Sequence, residues 1–600
     1  MIAIASIVTW SSVAATSVGA DVRESASPSL GSNVIVFTPT EPLATIQATV
    51  DAISAQQVNN QFGTQRYALL FEPGVYGSAS NPLNFQVGYY TQVAGLGAQP
   101  GDTVINGSID VYNQCSTTGG CVALDNFWRS LSNLTINVNN SSLGCHSGEF
   151  WAVSQAAPMR RVIVNGLTTL MDYCTGPAFA SGGFIADSSF NGSTIVNGSQ
   201  QQFVVRNSSL DGWTNGVWNQ VFSGDVGAPS QCFPSTSSCG GPYTTLPTSP
   251  VTEEAPFLYT SPSGAMNVFV PSVQYNSSGP SWAAGSEPGT TIGISRFFVA
   301  SPNTPIDEIN SALDEGGNLL LTPGVYALSR PIVVNHPDTV VLGLGFATLV
   351  PQNGTAALIV RPNNGVKVSG LIVDAGPVTS PVLVSVGTSH RHENEVGNPN
   401  LIQDVFLRIG GATAGSATVG IVDNANNSII DDVWAWRADH GNGVGWTSNV
   451  ADTGLVVNAN NVTAYGLFVE HFQKTEVQWN GQGGSVIFFQ NEMPYDPPSQ
   501  AAWMSAPGVD GYPALAVAPN VTSFQGYGMG SYSFFNQGVP VYSANAFVVP
   551  PTLAPSSLHD LLTVFLNSSA SGGILNVVNN TGGSSTAANP DVPVTVTSFP

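Results

Sequence analysis

Six hundred residues carry 14 Lys and Arg against 37 Asp and Glu, a formal charge of −23, and charged residues are only 8% of the chain. The two lysines, Lys367 and Lys474, and twelve arginines cannot form a phosphate-neutralising patch, which excludes a nucleic-acid binder and a polybasic membrane-surface protein. An apolar content of 42% with 64 glycines suits a packed, turn-rich fold rather than a solvated coil, and the length calls for at least two structural units.

The chain opens on an apolar stretch, residues 2–8, and reaches a small-residue run, Ser17-Val18-Gly19-Ala20. This is the pattern of a signal peptide spanning residues 1–20, although the positively charged start is missing. No other stretch is long and apolar enough to span a bilayer, so the expectation is a secreted or cell-wall protein. Helical periodicity is scarce. Residues 43–54 (LATIQATVDAIS) predict a helix, followed by an apolar strand and turn ending in Pro73-Gly74-Val75-Tyr76. Residues 305–313 (PIDEINSAL) predict a second helix, followed by the same sequence of events ending in Pro323-Gly324-Val325-Tyr326. The chain is an internal duplication.

After each copy come short strands separated by Asn and Gly turns. In the first half they fall at residues 103–112, 131–138, 160–164 and 202–210; in the second at 339–344, 366–373, 401–409, 429–436, 462–469 and 486–489. Taking Val366, Ile402, Ile429, Val462 and Val486 as equivalent points gives steps of 36, 27, 33 and 24 residues. Such steps fit the coils of a parallel β-helix, which buries its inward face by stacking coil on coil. A β-sandwich would instead show tight hairpins every 8–12 residues. The expected fold is all-β: two tandem right-handed, pectate-lyase-like β-helices at residues 21–222 and 296–549. A Pro/Ser/Gly-rich connector with some strand content is expected at 223–295. The tail, 550–600, carries one more helix candidate at 557–563 and an irregular end.

All six cysteines lie in the first half. In a secreted chain they read as up to three disulfides, with Cys115/Cys121 and Cys232/Cys239 close enough to shut small loops. A zinc site is the rival, but no Cys-x-x-Cys pair exists. Fourteen Asn-x-Ser/Thr sequons, among them Asn106, Asn133, Asn207, Asn353, Asn461 and Asn520, are compatible with a glycoprotein.

In a chain so poor in ions, a cluster of them is informative. Residues 431–496 hold eight acids (Asp431, Asp432, Asp439, Asp452, Glu470, Glu476, Glu492, Asp496), His440, His471 and four tryptophans, Trp434, Trp436, Trp446 and Trp479. Carboxyls supply the acid and base that break a glycosidic bond, and indoles pack against the apolar faces of sugar rings. Glu470 and Glu492 are 22 residues apart, close to one coil, so stacking brings them to the same edge about 5 Å apart at the backbone. The same residues also serve as coil ends and core, which is the bland reading of each taken singly. His390 and His392 resemble a metal cluster, but a solvated loop is the simpler reading because no further ligand sits at a fitting spacing. In the first half, residues 213–220 (WTNGVWNQ) are a candidate for reaching across a cleft between the halves.

At three strings the chain resembles glycoside hydrolase family 55, exo-acting β-1,3-glucanases with two tandem β-helices. They are Trp434 to His440, which fits Trp-x-Trp-x-Ala-Asp-His; Glu470-His471; and Gln490-Asn491-Glu492-Met493-Pro494-Tyr495. The resemblance implies Glu492 as general acid and Glu470 as the residue that places or polarises the attacking water, in an inverting reaction. Asp439, His440, His471, Trp436, Trp479 and Tyr495 are expected to bind substrate. It implies a monomer acting on a neutral polysaccharide with no cofactor and no metal. A polysaccharide lyase or pectinase-type enzyme is a second reading, disfavoured because 14 basic residues are few for an anionic polymer. A non-catalytic glycan-binding wall protein is a third.

Overall fold

The structure, a computed structural model, describes residues 29–115, 121–176, 179–214, 216–236, 238–388, 396–566 and 571–600. The expected signal peptide and the His390/His392 segment lie outside the described residues. The two copies of the duplicated sequence fold alike. Leu43–Gln57 and Ile306–Asp314 are helices, each entered directly from a proline whose fixed φ restricts the approach. Tyr67–Phe71 with Gly74–Tyr76, and Asn318–Leu321 with Val325–Leu328, are the strands that follow. The repeated Pro-Gly-Val-Tyr has a physical basis. The Tyr76 hydroxyl donates to the carbonyls of Phe37 (2.8 Å) and Glu72 (2.9 Å). The Tyr326 hydroxyl donates to those of Ala300 (2.9 Å) and Thr322 (2.8 Å). A Cβ on the glycine before it would lie 2.5 Å from Pro39 in one copy and 2.3 Å from Pro302 in the other, so only glycine fits.

In the second half seven strands set the frame: β1 (Lys367–Asp374), β2 (Leu401–Ile409), β3 (Ile429–Arg437), β4 (Thr463–Glu470), β5 (Gly484–Glu492), β6 (Phe524–Ser533) and β7 (Leu558–Phe565). They are consecutive parallel neighbours in a twelve-stranded sheet. Val368, Ile402, Ile430, Ala464 and Val486 are register partners, steps of 34, 28, 34 and 22 residues. An eight-stranded sheet forms a second wall, and Val405, Val433, Leu467, Phe489, Met529 and Leu561 stack one per coil in the core. This is a parallel β-helix, and the first half builds a second around its own core.

The first stack runs past residue 222, and the tail differs from expectation. Tyr243–Leu246 is the last rung of the first stack, and beyond it residues 249–293 form short antiparallel sheets. The helix candidate at 557–563 is strand β7. Its Leu558, Leu561 and Phe565 complete the second core, and tertiary burial overrides the weak local preference. Val594–Phe599 then pairs antiparallel with β7 and covers a sheet edge that would otherwise be free to pair with another chain. Three disulfides form, Cys115–Cys121, Cys145–Cys174 and Cys232–Cys239. Asn133 and Asn207 are buried, which leaves no room for a glycan on either.

Each rung β1–β7 bends at one residue with positive φ: Gly370, Asp404, Asp432, Gly466, Phe488, Gly528 and Asp560. The first half docks along this column. A Cβ on Gly466 would lie 2.5 Å from Phe184. Tyr90, Phe127, Trp128 and Phe184 of the first half share one apolar cluster with Phe406, Trp434, Trp436 and Phe488 of the second. Beside it, Arg160 grips Asp404 (2.7 Å) and Asp431 (3.1 Å), while Arg206 holds Asp431 (2.6 Å) and Glu254. Among the described residues eight basic side chains are buried: Arg66, Arg129, Arg160, Arg161, Arg206, Lys367, Arg408 and Arg437.

Candidate active site

The C-terminal ends of the rungs place their side chains in one row. Arg408, Trp436, Glu470, Glu492 and Tyr532 are successive register partners. The two glutamates predicted to share an edge are therefore directly paired, and they face a pocket of about 470 Å³ between the halves. Second-half walls include Trp434, Trp436, Asp439, His440, His471 and Tyr495; first-half walls include Asp125, Phe127, Gln155, Ser181, Gln201 and Trp218.

Glu470 is 3% exposed. Its Oε1 accepts from Gln155 Nε2 at 2.7 Å and its Oε2 from Trp434 Nε1 at 2.8 Å. Burial, then the charge of Glu492, pushes its carboxyl well above the ordinary range. Glu492 is 8% exposed and takes a hydrogen bond on Oε2 from the Tyr495 hydroxyl. Burial raises it too, and His471 and Tyr495 pull it back only in part. Two adjacent buried carboxyls hold protons as a pair. Both Glu470 oxygens already accept N–H groups, whereas Glu492 Oε1 has only a 3.4 Å contact with Gln490 Nε2, so the donor set favours the proton on Glu492.

His471 has positive φ (68°) directly after β4, and its Nδ1 lies 3.1 Å from the Met493 carbonyl. Its ring meets Tyr495 edge-on at 4.3 Å. Asp439 contacts His440 Nδ1 at 2.8 Å, and Gln61 of the first half lies 2.6 Å from the other ring nitrogen. Burial works to raise Asp439, but the His440 bond and the charges of His471 and His440 hold it at about 2. Phe62 lies parallel to Trp436 at 6.4 Å, so the 61–62 segment covers that end of the row.

A model of the LAM55 pectate lyase-like domain matches residues 297–492 and ends on Glu492. An exo-beta-1,3-glucanase of Streptomyces sp. (strain SirexAA-E / ActE) is 46% identical over 589 residues, 97% of this chain and 92% of that protein. The chain belongs to glycoside hydrolase family 55. The structure of sacteLam55A from Streptomyces sp. SirexAA-E superposes with a TM-score of 0.88 at 46% identity, covering 96% of this chain and 99% of that one. A variant of sacteLam55A in complex with glucose gives 0.87 at 45%, with the same coverage. This family 55 chain is a glycoside hydrolase with tandem β-helices.

Of the residues expected in the site, Glu470, Glu492, Asp439, His440, His471, Trp436 and Tyr495 are brought together. Trp479 is not. It is 0% exposed in the core of the second helix, edge-on to Phe524 at 5.3 Å, so it cannot stack on a sugar. Its strand Val477–Trp479 belongs to the eight-stranded wall rather than to the row of rungs. Of the 213–220 segment, Trp218 lines the pocket, whereas Trp213 packs on Phe203 and Phe222 within the first half. Gln155 and Gln61 escaped sequence reading: they sit 315 and 379 residues from their partners, in segments with no distinguishing pattern.

Proposed function

We propose that this glycoside hydrolase releases glucose from the non-reducing end of β-1,3-glucan by an inverting single displacement. Glu492 protonates the glycosidic oxygen, and Glu470 with Gln155 holds the attacking water. The observation that carries the reading is the register pair Glu470–Glu492 at the floor of one pocket. Adjacent strands bring the backbones to about 4.8 Å. Glu470 turns toward Trp434 and Gln155, Glu492 toward Tyr495. Inversion requires room for a water between the two carboxyls, and their separate partners support that arrangement. The cover formed by Gln61 and Phe62 at the Trp436 end supports attack on a chain end. Secretion as a monomer is part of the proposal, and three disulfides fit an oxidising compartment. The test is laminarin hydrolysis followed by proton NMR at early times. Glucose appearing first as the α-anomer supports the reading; a β-anomer first, or oligosaccharides without glucose, sinks it.

The pH profile follows from the pair. Glu492 is raised by burial and held down in part by Tyr495, and the reaction needs its protonated form. Activity therefore falls as pH rises through its pKa. Tyr495→Phe removes a bond that favours the charged form, so the pKa rises and the alkaline limb of kcat/KM moves to higher pH. A limb that stays put or moves down contradicts this assignment.

A further inference from the structure

A second cleft of about 470 Å³, as large as the catalytic pocket, lies on the first β-helix. It runs between the C-terminal half of the helix Leu43–Gln57 and the ends of the strands Leu83–Gln86 and Thr103–Asp110. It shares no lining residue with the catalytic pocket. Tyr112 and Leu143 (40% exposed) give it apolar surface, and Asn59, Asn84 and Gln86 give it carboxamides. Among the described residues the side chains of Asn59 and Gln86 have no protein partner, and the Asn84 carboxamide is used only on its oxygen, by Ser108 at 3.2 Å. The aromatic wall is fixed. The Tyr112 hydroxyl donates to Asp110 at 2.8 Å, and its ring lies on His146 with centroids 4.0 Å apart. His146 is held in turn by Asp172 at 3.0 Å and by the neighbouring disulfide Cys145–Cys174.

The charges of the cleft narrow the ligand. Asp110, 1% exposed, also accepts from Ser108 (2.7 Å) and from the Phe150 N–H (3.0 Å). With three of about four lone-pair sites filled, this carboxylate holds the tyrosine and has little left for a cation. Asp51 takes Gln47 at 2.8 Å. No Lys or Arg lines the cleft, so nothing there neutralises an anion. What remains fits a neutral, hydroxyl-bearing polymer: a fixed ring for the C–H face of a sugar and free amides for its hydroxyls. Asn59 leads directly to Gln61, which meets His440 of the catalytic pocket at 2.6 Å, so the cleft backs onto the covered end of that pocket. We propose that this cleft is a second, non-catalytic glycan-binding site, which holds a strand of β-1,3-glucan while chain ends are cut in the pocket beside it. The inference rests on the reading of β-1,3-glucan as substrate. A linked second contact raises the effective concentration of chain ends and leaves the chemistry untouched.

The experiment compares a particulate β-1,3-glucan with laminaritriose, which is too short to engage both sites. In an Asn59→Ala/Gln86→Ala double variant, and separately in Tyr112→Ala, the initial rate on particles at low loading is expected to fall about tenfold, as a lost linked contact implies. The rate on laminaritriose should match the parent. In the Glu492→Gln background, adding the double substitution should leave more protein in the supernatant when the particles are spun down. An unchanged rate on particles, or equal losses on both substrates, overturns the proposal. So does retention through Asn59 and Gln86 on cellulose or chitin particles but not on β-1,3-glucan, which would make another polymer the occupant. The substrate reading fails differently, through a parent enzyme that releases no glucose from laminaritriose. Asn59 and Gln86 have no protein partner, so the unfolding midpoint of the double variant should match the parent; a loss confined to Tyr112→Ala with a lowered midpoint would mean that the ring is structural, and counts against the proposal.

Discussion

Glu492→Gln is expected to lower kcat on laminarin by about a hundred- to ten-thousand-fold, the span that a positioned general acid contributes. The substitution keeps the side-chain shape and the Tyr495 partner, so the fold and the pocket persist. On the proposed mechanism it removes the one proton that the leaving oxygen needs. The signature is substrate dependence: β-glucosyl fluoride, whose leaving group requires little protonation, loses far less than glucan does. Equal losses on both substrates would show that Glu492 acts on the inner sugar or the water, and the roles of the pair would have to be exchanged. In the proposed role burial works in its favour, because it raises the Glu492 carboxyl above the ordinary range of a glutamate.

The second large effect is on stability. Asp431 is fully buried between Arg160 and Arg206, and Gln403 also donates to it at 2.7 Å. Asp431→Ala leaves two guanidinium groups partly uncompensated in the joint between the halves, where breaking a buried pair costs about 3–5 kcal/mol. Urea unfolding near pH 6 should show this as a clear drop in midpoint. Asp452→Ala removes a partner of Lys474 in a pair whose side chains are 49% and 29% exposed, and it should change stability by less than about 1 kcal/mol. Comparable shifts for the two variants would refute the idea that the joint depends on these ions.

Much of this was legible in the chain. The duplicated Pro-Gly-Val-Tyr exposed the tandem plan because each tyrosine must bond back to two carbonyls. The pairing of Glu470 with Glu492 was legible because the two stand 22 residues apart, one coil. What escaped has a common physical cause. Coil stacking is local, so sequence reports it; docking of one helix on the other is not, and nothing near Gln155 or Gln61 announces a partner more than 300 residues away. Trp479 misled because an indole among acids looks the same in sequence whether its coil turns it inward or outward. The buried arginines of the joint also lie beyond such local reading: Arg160 and Arg206 bind the halves, and Arg437 holds Asp496 through two bonds at 2.8 and 2.9 Å.

Burying the cations also changes what other proteins can do to this one. A trypsin-like protease needs a basic side chain on accessible, pliant backbone. Among the described residues the exposed basic side chains are Arg296, Arg330, Arg361 and Lys474. The arginines that serve as ion-pair anchors are withdrawn from digestion by the same contacts that join the halves, so among the described residues few bonds remain for such an enzyme to cut, and those are set in the ordered coils of the second helix and its entry.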